Sequence, residues 1–421
     1  MVIGSIGAAE CRAEEPRDEL GTLIAGARRD YDLPANIRRA VSGGQDNLSR
    51  VIIYKQGVSE EMNYKSAVID ADAHVVESER VWDYLEGSEK KFRPTLVPSP
   101  ANPKRQFWVL DGENLGHKFP SPDEHESEAH LKRFGREVGT PVAARELSNV
   151  QQRLKHMDEL GIDVQVLFNS LWITPLTSRA DVEIALSWAW NRWLADVWRL
   201  GEDRLRWTCV VPALSPKEAV PQIRFAKQHG AVGVCMRPFE RERMMTDRFY
   251  YPIYEEAERL DIPVTVHLGN GSPELFKLMT NEAGGGFSTF RVPTVTSCYA
   301  LIMSEIPQVF PKLRWGFIEV SSQWVPWVIH EAMRRSLGSS RPISRDCLRE
   351  YNIYVSTQSD DDFPYILSYA GEENLVIGTD YGHGDTSSEL NAIARFKAMA
   401  ELSPEVKRKI LFDNPKALYG L

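Results

Sequence analysis

From residue 66 onward, short apolar runs alternate with longer amphipathic ones. Eight of the short runs predict strands, at 67–73, 162–168, 205–211, 231–236, 262–267, 313–319, 351–356 and 374–379. They are rich in β-branched residues and nearly continuous in apolar character, the pattern of strands covered on both faces. Helical periodicity fills the intervals 147–160, 179–200, 216–228, 249–260, 321–335, 361–370 and 386–399. Gly161 reads as the stop of the first of these helices. Ser215 and Pro216 read as a cap followed by proline in the first turn. Eight strands alternating with helices predict an α/β fold of the (β/α)8 TIM-barrel type, with a doubly wound sheet as the alternative.

Two stretches break the rhythm. Residues 75–146 separate the first strand from its helix and are rich in proline, glycine and charge, which predicts a small hairpin subdomain. Residues 268–293 follow the fifth strand. Both insertions leave carboxyl ends of strands, where a barrel keeps its active site, so they are expected to roof a pocket. Residues 1–65 are mixed and charged, with VIIY at 51–54 as their one buried-strand pattern. They read as an N-terminal arm or partial cap ahead of a barrel at 66–421, serving as a dimer contact or a lid.

The polar residues at the strand ends change the picture. The stretch VIDADAH places Asp70, Asp72 and His74 at strand spacing, so a regular strand turns all three to one face. His267 ends the fifth strand, Glu319 the sixth, Asp380 follows the eighth, and His383 lies just beyond. Each alone has an ordinary explanation, as a turn cap, a salt bridge or a pocket wall. In a closed barrel all converge on one mouth, and two carboxylates beside an imidazole make a charge trap that a cation relieves. Asp72, His74, His267, Glu319, Asp380 and His383 are therefore the candidate metal ligands, for one or two divalent ions. The mixed oxygen and nitrogen set suits iron, zinc or manganese. One ion could take Asp72, His74, His267 and Asp380; Glu319 and His383 would add a second, with a carboxylate bridging, at a separation of about 3.5–4 Å.

Asp70 lies deeper and is expected to support the site by hydrogen bonding; Glu77 reads as a turn cap or a mouth residue. Arg237 follows the fourth strand and is a candidate for holding a carboxylate. Trp172, Phe287, Phe290, Arg291, Trp324 and Trp327 follow strand ends and are pocket candidates. Trp188, Trp190, Trp193 and Trp198 share one helix and read as packing residues. His156, His229 and His330 read as surface or core residues, and His117, His125 and His130 as solvated ones.

Of the 421 residues, 43% are apolar, enough for a sizeable core, and the net charge is −9 with no localised basic patch. Nucleic acid is thus not an expected partner. The five cysteines are far apart and suit free thiols in a reducing cytoplasm. No secretory signal is read at the start, and no apolar run is long enough for a bilayer. The expected partner is a small-molecule substrate, with a homo-oligomer left open. No GxSxG elbow supports serine hydrolysis, and the glycine-rich stretches lack a dinucleotide-binding context.

The pieces VIDADAHVVE, RLKHMDELGIDVQVL, VTVHLG, PKLRWGFIEVSSQWVPW and NLVIGTDYGHGD, in this order, resemble the amidohydrolase superfamily. The likeness is to amidohydrolase family 2, the branch that includes aminocarboxymuconate semialdehyde decarboxylase-like proteins, and it spans roughly residues 66–415. It implies a (β/α)8 barrel with divalent metal at its mouth. Asp72 and His74 match the first metal motif, His267 the fifth-strand histidine and Asp380 the eighth-strand aspartate. Glu319 is a departure, since many members carry a histidine after the sixth strand. The resemblance implies a hydrolase in which metal-activated water attacks an amide, ester, thioester or C–C bond of a hydrophobic acid derivative. Asp380, Glu319, His383 and Arg237 would be its catalytic residues. The alternatives are a non-haem di-iron monooxygenase and a non-oxidative decarboxylase.

Overall fold

Eight parallel strands form one sheet in which hydrogen-bonded neighbours follow chain order. They are β1 (Ile69–His74), β2 (Val164–Phe168), β3 (Leu205–Val210), β4 (Ala231–Met236), β5 (Val264–His267), β6 (Trp315–Ile318), β7 (Ile353–Thr357) and β8 (Leu375–Ile377). The structure, a computed structural model, describes residues 67–103, 105–119, 122–279 and 286–421. The expected arm at 1–65, its VIIY run and part of the 268–293 insertion lie outside those residues.

The first and last strands meet. The amide of His74 donates to the Tyr381 carbonyl at 2.8 Å and that of Asp380 to the Asp72 carbonyl at 2.9 Å. This closes the sheet into the expected barrel rather than a doubly wound one. Closure needs Gly378: a Cβ there would stand 2.3 Å from the Asp72 Cβ and 2.8 Å from its backbone nitrogen. Inside the barrel, Ile69, Val166, Phe168, Val232, Ile318 and Val376 form one apolar cluster with Leu418 and Tyr419 of the C-terminal helix Asn414–Tyr419. The alternate residues of these strands face outward into a second, larger core under the helices.

The strand VIDADAH is not regular. The register between β1 and β2 slips by one residue between Asp70 and Ala73. Asp70 pairs with outward-facing Gln165, whereas His74 pairs with inward-facing Phe168. This bulge puts Asp70 on the opposite face from His74, and bulges commonly re-aim side chains beside active sites. Asp70 becomes a clasp across the seam. It accepts from the Thr379 amide at 3.0 Å, the Thr379 hydroxyl at 2.6 Å and Gln165 Nε2 at 2.8 Å. Burial leads its carboxyl upward, to about 6. Arg153 of the helix Val150–Leu160 completes the network, donating to Gln165 Oε1 at 2.7 Å and to the His74 carbonyl at 3.2 Å.

Helix bounds also shift. The 386–399 pattern is helical only over Ala392–Ala398, because Ser388 and Glu389 bond back to the end of β8. Ser215 sits at the N-cap position but makes no side-chain cap bond. The helix Val292–Met303 escaped the periodic reading, since VPTVTSCYALIM has little polar face to mark it. The expected hairpin subdomain is a three-stranded antiparallel sheet, Thr95–Pro98, Gln106–Leu110 and Glu113–Lys118. No helix among the described residues is long and apolar enough to cross a membrane.

Gly378→Ala should move the first and last strands apart and destabilise the fold by about 1–3 kcal/mol or more, the usual cost of overpacking. A thermal melt checks this; a wild-type midpoint would mean the seam is not tight at Gly378.

Candidate metal centre

The strand ends bring all six candidate ligands together, each at most 5% exposed. Two overlapping groups arise: Asp72, His74, His267 and Glu319, and His74, Glu319, Asp380 and His383. Within each group the donor atoms lie within 4.8 Å of one another. His74 and His267 leave β1 and β5 on the inner face. Asp72 reaches the same face through the bulge. Ile318 belongs to the inner cluster, so a regular strand would turn Glu319 outward. Instead Glu319 takes a left-handed backbone, φ 63°, pinned by its amide donating to the Ser356 hydroxyl at 2.7 Å. Asp380 is also left-handed, φ 49°. Non-glycine residues held so cost about 1–3 kcal/mol each, and such strain collects at functional sites.

Hydrogen bonds fix the imidazoles. His74 Nδ1 lies 2.9 Å from the Asn169 carbonyl and His267 Nδ1 3.1 Å from the Leu268 carbonyl. A carbonyl only accepts, so both Nδ1 atoms carry hydrogen and both neutral rings keep their lone pair on Nε2. Those Nε2 atoms face each other at 3.1 Å. Around them stand Asp72 Oδ1, 3.5 and 3.3 Å from the two nitrogens, Glu319 Oε2, at 3.7 and 3.4 Å, and Asp380 Oδ1, 3.4 Å from His74. Two facing lone pairs ringed by carboxylate oxygens repel unless a proton or a metal cation lies among them. At about 4 Å, each pair of like charges repels by about 4 kcal/mol at an effective dielectric constant near 20. An ordinary hydrogen bond returns only about 1 kcal/mol. Glu319 Oε1 and Asp380 Oδ1 are moreover buried without a hydrogen-bond partner. The donor set therefore fits a divalent metal, with the carbonyl-oriented histidines that such sites use.

The electrostatics record the same crowding. Burial opposes charge on His74, yet Asp72 and Glu319 outweigh it and raise the imidazolium to about 10. Burial pushes Asp72 upward, but His267 and His74 win and hold it well below the carboxylate range. Burial, Glu319, Asp385 and Asp72 together push Asp380 well up. Burial, helped by His74 and His267, drives His383 well down.

His383 Nδ1 stands 2.8 Å from Asp380 Oδ1, out of line for a hydrogen bond. On its other side Nε2 lies 2.7 Å from the Ser170 hydroxyl. That hydroxyl donates to the Val75 carbonyl at 2.8 Å, so it accepts from His383 Nε2–H and leaves Nδ1 as the bare nitrogen. Ser170 thus sets the His383 tautomer. Ser388 donates to Asp380 Oδ2 at 2.6 Å and leaves Oδ1 turned to the centre. Neither serine was marked by spacing; the sole signal was their nearness to strand ends. Glu77 is also buried, accepting from the amides of Ser170 and Leu171 at 3.1 Å and from the Trp190 indole at 3.2 Å, and so holds the Ser170 loop.

Arg237 departs from its expected role. Its guanidinium donates to Glu240 at 2.6 Å and to the Trp172 carbonyl at 2.8 Å, with Glu183 at 3.9 Å, and so is already engaged. Burying that cation beside Glu240 ties the loops after β2 and β4 together. Trp172 itself is buried among Trp82 and Trp190. The other five pocket candidates, Phe287, Phe290, Arg291, Trp324 and Trp327, line a cavity of about 1160 Å³. His156 is held by the Tyr381 hydroxyl at 2.8 Å, and His229 by the Phe225 carbonyl at 2.7 Å.

Residues 69–421 match the family model described as Amidohydrolase. Among solved structures, an amidohydrolase from Mycobacterium avium subsp. paratuberculosis aligns at 20% identity and TM-score 0.68, over 85% of this chain and 98% of that one. A 5-carboxyvanillate decarboxylase from Novosphingobium aromaticivorans with bound manganese aligns at 17% and 0.60, over 85% and 98%. A 4-oxalomesaconate hydratase from Rhodopseudomonas palustris aligns at 17% and 0.55, over 84% and 95%. At these identities the likeness is one of fold.

Removing divalent ions from the protein by chelation should lower its melting temperature, and restoring them should raise it again, because only the folded chain gathers the donors. In His74→Ala the ion should no longer shift the melt, while circular dichroism stays that of the parent. An unchanged ion response in that variant would remove His74 from the centre. Ser170→Ala should lower turnover by about ten- to a hundredfold, as outer-shell changes do, and redistribute the ring proton of His383 in nitrogen NMR of a diamagnetic sample, with Ser170→Thr restoring both. A parental tautomer in Ser170→Ala would contradict this role.

Proposed function

We propose, from the premise that this chain belongs to the amidohydrolase family, that it is a metal-dependent enzyme that decarboxylates a hydrophobic acid without an oxidant. The observation that carries this reading is a division within the centre. Asp72, His74, His267 and Glu319 make a complete four-donor group, and Asp380 with His383 stands beside it. A divalent ion such as manganese, zinc or iron on the four donors would supply Lewis-acid stabilisation of the negative charge left as carbon dioxide departs.

The chain's own groups would then handle the proton. Asp380 Oδ2 is fixed by Ser388, so a proton carried on Oδ1 faces the reacting carbon. As the C–COO⁻ bond breaks, its electron pair stays on carbon, and the Asp380 proton joins it. Water then returns a proton to Asp380, beside which His383, steadied by Ser170, stands 2.8 Å from Oδ1. A substrate body filling the apolar cavity beside the centre would keep bulk water from the carbanion-like carbon. The fold is shared with a 5-carboxyvanillate decarboxylase, which agrees with this reading.

The second donor group favours one competing reading. His74 Nε2 has a single lone pair and cannot serve two ions. A second ion would be held by Glu319, Asp380 and His383. That arrangement suits the hydrolase or the di-iron monooxygenase.

Incubation of the manganese-loaded protein with carboxyl-labelled hydrophobic acids in D2O should release labelled carbon dioxide without air and place one deuterium on the former carboxyl carbon. Asp380→Asn should lower that rate by about 10²–10⁴-fold, the usual range for a lost general acid. A product carrying oxygen from labelled water, with no carbon dioxide, would replace the lyase by the hydrolase. Strict dependence on O2 would replace it by the oxygenase.

A further inference from the structure

The 1160 Å³ cavity is large for its place. Drug-sized ligands occupy pockets of about 300–1,000 Å³. The cavity lies beside the centre: its lining includes Leu268, next to His267, Val320, next to Glu319, and Asp385, two residues from His383. One wall is aromatic: Phe287 and Phe290 from the π-helical segment Phe287–Arg291, and Trp324 and Trp327 around the start of the helix Val325–Ser336. Phe287 and Trp327 are each 64% exposed, unusual for such side chains unless they meet something apolar.

Two cations also line the cavity, and they differ. Arg136 is spent on Asp360 at 2.7 Å and on the Thr386 carbonyl. Arg291 donates to the Ser387 hydroxyl at 2.8 Å and has no carboxylate partner among the described residues. A guanidinium without a carboxylate partner among the described residues, on an apolar wall beside the candidate metal centre, is suited to an anionic group of a ligand.

We propose that this cavity seats a carboxylic acid whose apolar body is larger than one aromatic ring, a fused polycyclic or long-chain acid, with Arg291 holding an anionic oxygen and the aromatic wall covering the body. The inference rests on the centre being the reacting site, and it names the substrate class for it. A single-ring acid would leave most of the aromatic wall in water and so gain little from burial.

The test is equilibrium binding to the full-length, metal-loaded protein, with tryptophan fluorescence and calorimetry as readouts. The probes are benzoate, 2-naphthoate, a phenanthrene carboxylate and dodecanoate, together with the neutral amide of each. The phenanthrene carboxylate and dodecanoate should bind at least about tenfold more tightly than benzoate, the return for burying further apolar surface. Trp327→Ala, at an exposed position, should erase that advantage and leave benzoate unchanged. Arg291→Gln should weaken the acids about tenfold but not the amides, and Arg291→Lys should recover part of the loss. Equal affinity across the size series, or a size advantage that survives Trp327→Ala, would overturn the assignment of the aromatic wall. Equal loss of acids and amides in Arg291→Gln would overturn that of Arg291. Tight binding of the larger acids with no carbon dioxide released on incubation would sink the decarboxylase and keep this proposal. Release from one-ring acids with no size advantage does the reverse.

Discussion

The barrel closes only because its first and last strands are pulled against each other, and everything at the mouth inherits that seam. Asp70 is the clasp, gripped by the Thr379 amide and hydroxyl on one side and by Gln165 on the other. The bulge that turns Asp70 outward is the same irregularity that turns Asp72 inward, so closure and ligand placement are one geometric event. Gly378 admits the Asp72 backbone where any side chain would exclude it. With the seam set, Asp72 and His74 arrive from one edge, Asp380 and His383 from the other, and His267 and Glu319 across the barrel.

Against this order works a concentration of unfavourable terms. Three buried carboxylates share a few ångströms, two nitrogen lone pairs face each other, and Glu319 and Asp380 hold strained backbones. The surrounding fold sustains them: Ser356, Ser388 and the carbonyls of Asn169 and Leu268 hold the side chains and backbones in place, while the inner cluster and the larger outer core supply the stability. Preorganisation of this kind is what a centre needs to bind an ion without rearranging.

Much of this was legible in the chain. The eight strands and the six donors announce themselves, because burial forces apolar runs and the donors repeat at strand ends. What escaped follows from local geometry that composition does not carry. A regular strand predicts one face for Asp70, Asp72 and His74; one slipped hydrogen bond reverses Asp70. The same rule would send Glu319 outward, and only its left-handed backbone returns it. Arg237 looked like an anion holder because nothing in sequence shows that Glu240, three residues on, neutralises it. Arg291 reads in sequence only as a wall residue, since the lack of a carboxylate partner among the described residues is a property of space. Ser170 and Ser388 were invisible for a related reason: serine is common, and its role lies in the direction of one hydroxyl.

The clasp joins residues 309 positions apart, and that separation bears on how the protein matures. As the chain grows from its amino end, Asp72 and His74 are made long before β8 exists. Two donors on an unfinished strand are a poor trap for a cation, and the candidate donor set is complete only when the last strand docks. Contacts of such long range also form late and slowly, which leaves a window in folding when an acidic, half-built mouth is open to solvent.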